Sequence, residues 1–212
     1  MPITLTAPQS ETLTTPPTLG RGCRVSDRPL VVPFTVLADD RECAAGWRFV
    51  GLRADSRNSY RPLAISVRYT RLLTGDYTIE GLEHLVAIER KSLVDLFGSL
   101  ANSRDDKRRD RFRAEHERMS QLAFAAVIIE ADWSTILQHP PANSQLDPAS
   151  VLGTAVSWQQ RYGVHWEAAG GRQLAEERAF RHLRMFWEHR QKLAGSSQVN
   201  SQQNQQPKRK GA

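Results

Sequence analysis

The chain has 212 residues, 40% hydrophobic and 25% charged, with a formal net charge of +6, which suits one soluble domain of about 100–200 residues with appendages. Two cysteines, Cys23 and Cys43, and no Cys/His cluster at ligand spacing exclude a disulfide framework and a zinc site. No run approaches the ~20 apolar residues of a membrane span and the N-terminus does not read as a secretory signal, so a cytoplasmic setting with no membrane partner is expected. The basic balance is mostly arginine, which favours a polyanionic partner because a guanidinium meets phosphate bidentately. Charge alone does not choose among DNA, RNA, an acidic protein and a merely solvated surface.

Residues 1–29 are rich in Thr, Pro and Ser without apolar periodicity and read as a disordered leader. The folded domain is expected over 30–193. Val31 to Ala38 is β-branched and apolar, a strand that delivers Asp39 at its end, followed by Asp40, Arg41 and Glu42. Trp47 to Val50 suits a short strand or a loop that docks an aromatic. Arg53 to Arg61 is a polar loop closed by Pro62; its arginines and Tyr60 suit a nucleic-acid strand or plain solvent. Leu63 to Leu73 is the next strand, with Ile65, Val67 and Tyr69 on one face, and it runs into Gly75-Asp76-Tyr77.

A strand, a turn at Glu80-Gly81 and a return strand then lead to Glu89. Val86-Ala87-Ile88 is apolar enough to be buried, and side chains two apart share a strand face. Glu89 and Lys91 therefore project together while Arg90 points away, and Asp76 folds back over the same spot. Two carboxylates and an ammonium converging on one point are costly unless a cation sits among them. Oxygen ligands suit a hard divalent ion, Mg²⁺ or Mn²⁺, which would make a water nucleophilic toward a phosphodiester.

Ser92-x-x-Asp95 is a helix start in which Ser92 caps and Asp95 reaches back, with Leu93, Leu96, Phe97 and Leu100 at helical spacing. A second helix is expected from Ser103, with Arg104, Arg108 and Arg111 along one face, either a DNA-backbone stripe or a salt-bridged solvated face. Leu122 to Ile129 reads as a strand covered on both faces, ending at Glu130. Trp133 to Leu137 is a short helix before Pro140-Pro141. Asp147-Pro148 opens a helix that ends at Gly163, Val164 to Glu167 is a last strand, and Gln173 to Lys192 is a long helix with Ala179, Leu183, Phe186 and Trp187 as its apolar stripe. Residues 194–212, closing on Pro207-Lys208-Arg209-Lys210, read as a disordered basic tail.

The string Gly75-Asp76-Tyr77 … Ile88-Glu89-Arg90-Lys91-Ser92 … Asp95, with Asp39 to Glu42 upstream, resembles the XPF family of structure-specific DNA endonucleases, within the restriction-endonuclease-like nucleases. The resemblance implies an α/β fold: a central mixed sheet flanked by helices. It also implies metal-dependent hydrolysis of DNA, at branched or junction structures, with no nucleotide cofactor. On this reading Asp76, Glu89 and Lys91 are catalytic, and Asp39, Asp76, Glu89 and the Arg90 backbone carbonyl hold the metal. Arg41, Glu42, Asp95 and Glu130 support the site, and Arg104, Arg108 and Arg111 face DNA. Arg41 and Glu42 are also compatible with a local ion pair and Asp95 with a simple cap, while Glu130 suits a contact to the metal or to the second-helix arginines, or a purely structural role. Family members pair through the terminal helices, so a homodimer is expected. The family's helix-hairpin-helix module has no counterpart after Leu193, and the Gln that follows the family's Gly-Arg is not matched. The rival readings are a non-catalytic DNA-binding or scaffold subunit, and a nuclease acting on RNA or single strands.

Overall fold

The computed structural model describes residues 28–58, 60–101 and 107–203; the leader up to Asp27, Arg104 with the expected start of the second helix, and residues 204–212 lie outside it. The described residues divide into two compact units, one formed by residues 28–32 with Val50–Ala64, the other by Pro33–Phe49 with the described residues from Ile65 onward. In the smaller unit the polar loop is tied to itself. Ala54 N–H donates to Arg61 O at 2.9 Å and Leu63 N–H to Leu52 O at 2.9 Å. The Arg61 guanidinium holds the carbonyls of Arg28 and Pro29 at 2.8 and 2.9 Å, and Arg53 holds that of Tyr60 at 3.1 Å. Arg53 thus serves the loop's own backbone, and Arg61 ties the loop to the residues that lead into the first strand.

Among the described residues the six strands are β1 (Leu30–Asp39), β2 (Leu63–Thr70), β3 (Tyr77–Ile79), β4 (Val86–Lys91), β5 (Phe124–Ile129) and β6 (His165–Ala168). They form one sheet in the order β2-β1-β3-β4-β5-β6. β1, β3 and β4 run antiparallel, as a hairpin requires, and β4, β5 and β6 run parallel, as helical crossovers require. The sheet is therefore mixed, as expected from the sequence. β2 stops at Thr70, short of Leu73, because the chain must turn there to bring Asp76 across.

Local signals place the helices. α1 (Leu93–Leu100) starts where the Ser92 hydroxyl accepts the Asp95 N–H at 3.2 Å and donates to its carboxylate at 2.8 Å, a cap contributing about 1 kcal/mol. α2 is Arg108–Met119 and α3 is Trp133–Gln138, the latter capped by Asp132. α4 (Pro148–Tyr162) has Asp147 as its cap and Gly163 at φ 68° as its stop, a left-handed position that suits glycine. α5 runs Arg172–Gln203, past Leu193, where the sequence had placed the end of the folded part.

Strand parity divides the core in two. Ala125, Val127 and Ile129 of β5 face a cluster with Leu96, Phe97, Phe112, Ile136, Val151 and Trp158 from α1 to α4. The alternate residues, Ala126 and Ile128, are equally buried and point to the opposite face. There α5 buries Ala175, Ala179 and Leu183 and packs Phe180 and Trp187 on Phe34, ring centroids 6.2 and 5.8 Å apart. Phe186 meets Phe124 at 6.4 Å. The apolar stripe of α5 thus covers this chain's own sheet. Trp47 and Phe49 lie in a loop, not a strand, and stack around Tyr77 at 5.0 and 5.4 Å.

Candidate active site

Pairing register determines which side chains meet. Glu89 lies opposite Val127 and Lys91 opposite Ile129. Laterally paired residues share a sheet face, so both polar side chains stand on the face covered by α1 and α2. Lys91 Nζ donates to Glu89 Oε1 at 2.7 Å and sits 4.6 Å from the centre of the Phe112 ring of α2, a cation–π contact worth about 0.5–1 kcal/mol. Tyr77 pairs with Ile88 and Ala38 with Tyr77. Their neighbours Asp76 and Asp39 alternate back to the Glu89 face.

Asp76 is placed from both sides. Its N–H donates to Ile88 O at 2.8 Å, and its Oδ2 accepts the Arg90 N–H at 2.8 Å. Gly75 precedes it at φ 68°, and a Cβ there would lie 2.9 Å from Ala87 Cβ and 3.0 Å from Ile88 O. Only glycine passes so close to β4 in that conformation. Burial first, and the charge of Glu89 second, push the Asp76 carboxyl well above the ordinary carboxylate range, against the pull of Lys91 and the Arg90 N–H. Burial likewise opposes the charge of Lys91, but Glu89 and Asp76 outweigh it and raise its pKa. Asp76, Glu89 and Lys91 are thus one electrostatic unit, with two carboxylates sharing one ammonium.

Asp39 has no exposed surface and different partners. Its Oδ1 accepts from Arg41 Nε at 2.6 Å and Arg41 N–H at 2.9 Å, and its Oδ2 from Arg41 Nη2 at 3.0 Å and Leu72 N–H at 2.9 Å. Burial works against its charge, but these donors prevail and hold its pKa at about 2. Among the described residues no three His, Cys, Asp or Glu side chains form a metal-holding group; Asp39 is paired with Arg41 beside Asp76 and Glu89.

Sequence reasoning missed Glu115. This α2 residue accepts the Gly75 N–H at 2.7 Å and also pairs with Arg118. Burial first, and the nearby Glu89 charge second, raise its pKa. The signal was present, because Glu115 continues the helical face of Arg108 and Arg111 at i+7 and i+4. That face forms one wall of a cleft of about 350 Å³ whose lining includes Arg41, Glu89, Lys91, Arg108, Arg111 and Glu115. Arg108 and Arg111 therefore stand beside Glu89 and Glu115 in the cleft wall; Arg104 lies outside the described residues.

Arg90 points to the other face, as the alternation requires. Its guanidinium grips Glu130 at 2.8 and 3.1 Å and Glu42 at 3.1 Å. Glu130 also accepts from Trp47 Nε1 at 2.8 Å and Arg172 at 3.2 Å. Glu130 thus meets neither the α2 arginines nor the Glu89–Lys91 pair. It follows Ile129, the partner of Lys91, and so falls on the Arg90 side. Glu42 also belongs there rather than with Arg41. This ion cluster anchors the Arg90 backbone whose N–H holds Asp76. Asp95 is engaged as the α1 capping partner, and its charge joins those of Glu89 and Asp76 in raising the Lys91 pKa.

A mixed sheet that presents Gly-Asp on one strand entry and Glu-x-Lys at the neighbouring strand end, between helical layers, is the architecture of an XPF-type endonuclease domain. The chain belongs to the ERCC4 domain family, whose model matches residues 38–171. Two solved structures share the fold. XPF from Aeropyrum pernix is 17% identical, with a TM-score of 0.50 over 72% of this chain and 60% of that one. XPF from Aeropyrum pernix in complex with DNA is 16% identical, with a TM-score of 0.51 over 74% of this chain and 66% of that one. The chain thus spans somewhat less than two thirds of the length of those proteins. No curated protein matches it at a significant level. Among the described residues no helix is long and apolar enough to cross a membrane.

Proposed function

We propose that the chain is a metal-dependent endonuclease that hydrolyses phosphodiester bonds in DNA, with branched or junction DNA as its preferred substrate. The observation that carries this reading is the coupling of Asp76, Glu89 and Lys91 on one sheet face beside an arginine-walled cleft. The donor chemistry fits a hard divalent ion. Two carboxylates share a single ammonium, and burial first, with the charge of Glu89 second, raises the Asp76 pKa. Mg²⁺ or Mn²⁺ would be held by Asp76, Glu89, the Arg90 carbonyl and Asp39, the last giving up part of its pairing with Arg41. The Arg90 N–H is turned to Asp76, and within a strand residue the C=O projects to the same edge. When bound, the ion supplies Lewis-acid polarisation of the phosphodiester.

The chain's own residues do the rest. Lys91 is charged at neutral pH, its pKa being raised, so it donates a hydrogen bond that orients the attacking water and offsets charge on the phosphoryl oxygens. Phe112 and Glu89 hold its ammonium in place. Arg108 and Arg111 position the DNA backbone along the cleft. Retention of both acids and the lysine argues against a purely scaffolding subunit. Two copies of the chain pairing as a homodimer complete the proposal, tested by sedimentation of the full-length protein.

One gel tests the reading: duplex, single strand, 3′ flap, fork and RNA incubated with Mg²⁺, with EDTA, and with Lys91→Ala. Cleavage should require the metal, favour branched DNA, and fall about 10²–10³-fold in the variant while binding persists. If Lys91→Ala cuts as well as the parent, the assigned chemistry is wrong.

A further inference from the structure

The turn between β2 and Asp76 carries an apolar side chain in an unusual setting. Leu73 is 88% exposed, the most exposed large hydrophobic residue among the described ones. Its presentation is not that of a loose loop. Leu72 beside it is buried, and its N–H is fixed on Asp39 at 2.9 Å. Two residues on, the Gly75 N–H is fixed on Glu115 at 2.7 Å. The acids of the site thus clamp the backbone on both sides of Leu73-Thr74. On the same segment Arg71 is exposed and reaches Asp40 at 3.3 Å, and exposed Arg41 closes on Asp39. A bare leucine next to two arginines, held rigidly at the edge of the acid cluster, matches one ligand chemistry. That ligand has apolar surfaces between anionic rails, as nucleic acid does with its stacked bases and phosphates.

We propose that Leu73 is a wedge that inserts against or between the bases next to the scissile phosphate, with Arg71 and Arg41 on the flanking backbone. The inference rests on the nuclease reading above and adds a determinant of substrate geometry. Leu73 and Asp76 are three Cα–Cα steps apart, so their Cα atoms lie within about 10 Å, roughly three base steps at ~3.4 Å per step. Leucine wedges partly unstack a base step, and helices already open at a branch or mismatch resist least. The wedge therefore links the acid cluster to a preference for interrupted duplexes.

The experiment uses the full chain and DNA carrying 2-aminopurine at successive positions around the bond that the parent cuts in Mg²⁺, with binding followed in Ca²⁺. The parent should raise 2-aminopurine emission several-fold at one position beside the cut. Leu73→Ala should lose at least half of that rise and cut continuous duplex more slowly relative to a fork, whereas Leu73→Met should keep the rise. Melting curves should coincide, since Leu73 packs on little. If the parent binds and cuts but Leu73→Ala gives the same rise, the wedge is refuted and the nuclease reading stands. If the substitution instead changes the sedimentation coefficient and leaves the emission unaltered, Leu73 meets a second copy and the wedge is again refuted. If the parent neither binds nor cuts any of these DNAs, both proposals fall together.

Discussion

Glu115 offers the sharpest test of how the site is held. Its carboxylate is the acceptor for the N–H of Gly75, a buried group with no room for a replacement side chain. Glu115→Ala leaves that N–H unsatisfied at a cost of about 1–3 kcal/mol. At this chain length each kcal/mol moves the melting temperature by roughly 2–4 °C, so a loss of about 2 kcal/mol should lower it by roughly 4–8 °C. Glu115→Gln keeps an oxygen acceptor and removes the charge. Because burial and Glu89 disfavour that charge, as the raised pKa records, the glutamine variant should melt at or slightly above the parent. Activity should separate the two in the same sense. A loosened turn lets Asp76 drift, and a misplacement of about 1 Å costs on the order of 10²-fold in rate, so the alanine variant should cut 10- to 100-fold more slowly, on the same basis. Thermal denaturation by circular dichroism and initial cleavage rates with Mg²⁺ read both quantities. The reasoning fails if Glu115→Ala melts with the parent. It fails equally if Glu115→Gln loses as much activity as the alanine, because Glu115 would then act by its charge rather than by holding the turn.

Three other outcomes follow from the same contacts. His116 is fully buried; its Nε2 accepts the Trp166 indole N–H at 3.0 Å, its Nδ1 donates to Phe112 O at 2.9 Å, and burial lowers its pKa to about 4. The unfolded chain binds a proton near pH 6.5 that the folded chain refuses. The resulting stability is present above that pH and lost as pH falls toward 4, by on the order of 3 kcal/mol. Urea titrations at pH 7 and 5 should show about 2 kcal/mol of this loss in the parent and a smaller loss in His116→Gln; equal losses exclude the mechanism. Gly75→Ala should cost about 1–2 kcal/mol for its left-handed backbone and more for its contact with β4, with a large drop in cleavage. Gly81→Ala, at φ 81° with open space around its Cβ, should show the backbone cost alone, and equal activity losses would mean that crowding at β4 is irrelevant. Finally, removing Arg108 or Arg111 from the cleft wall should each reduce the salt slope of DNA binding by about one, measured by fluorescence anisotropy across a salt series. An unchanged slope would place DNA elsewhere.

The local part of this molecule was legible in its sequence. Period-2 alternation placed Glu89 with Lys91 and turned Arg90 away. Ser92 with Asp95, and Asp147-Pro148 with Gly163, marked helix ends through hydrogen bonds that span only a few residues. The continuous apolar run at β5 announced a strand covered on both faces. The long-range part depended on register and sheet order, which no local pattern encodes. Glu115 reaches Gly75 across forty positions only because tertiary packing brings α2 over the turn that enters β3. Glu130 turned to Arg90 because Ile129 is the residue opposite Lys91; one step of slippage would have sent it to the cleft. Asp39 stood where expected, but its partners came from the turn at Leu72 and from Arg41 folding back. α5 carried its aromatic stripe as read, and the sheet beneath supplied Phe34 and Phe124 to cover it. Sequence periodicity thus set the face on which each side chain stands, through the geometry of single strands and helices. Tertiary packing alone chose what stands opposite, because a partner distant in the chain is selected by how whole elements align.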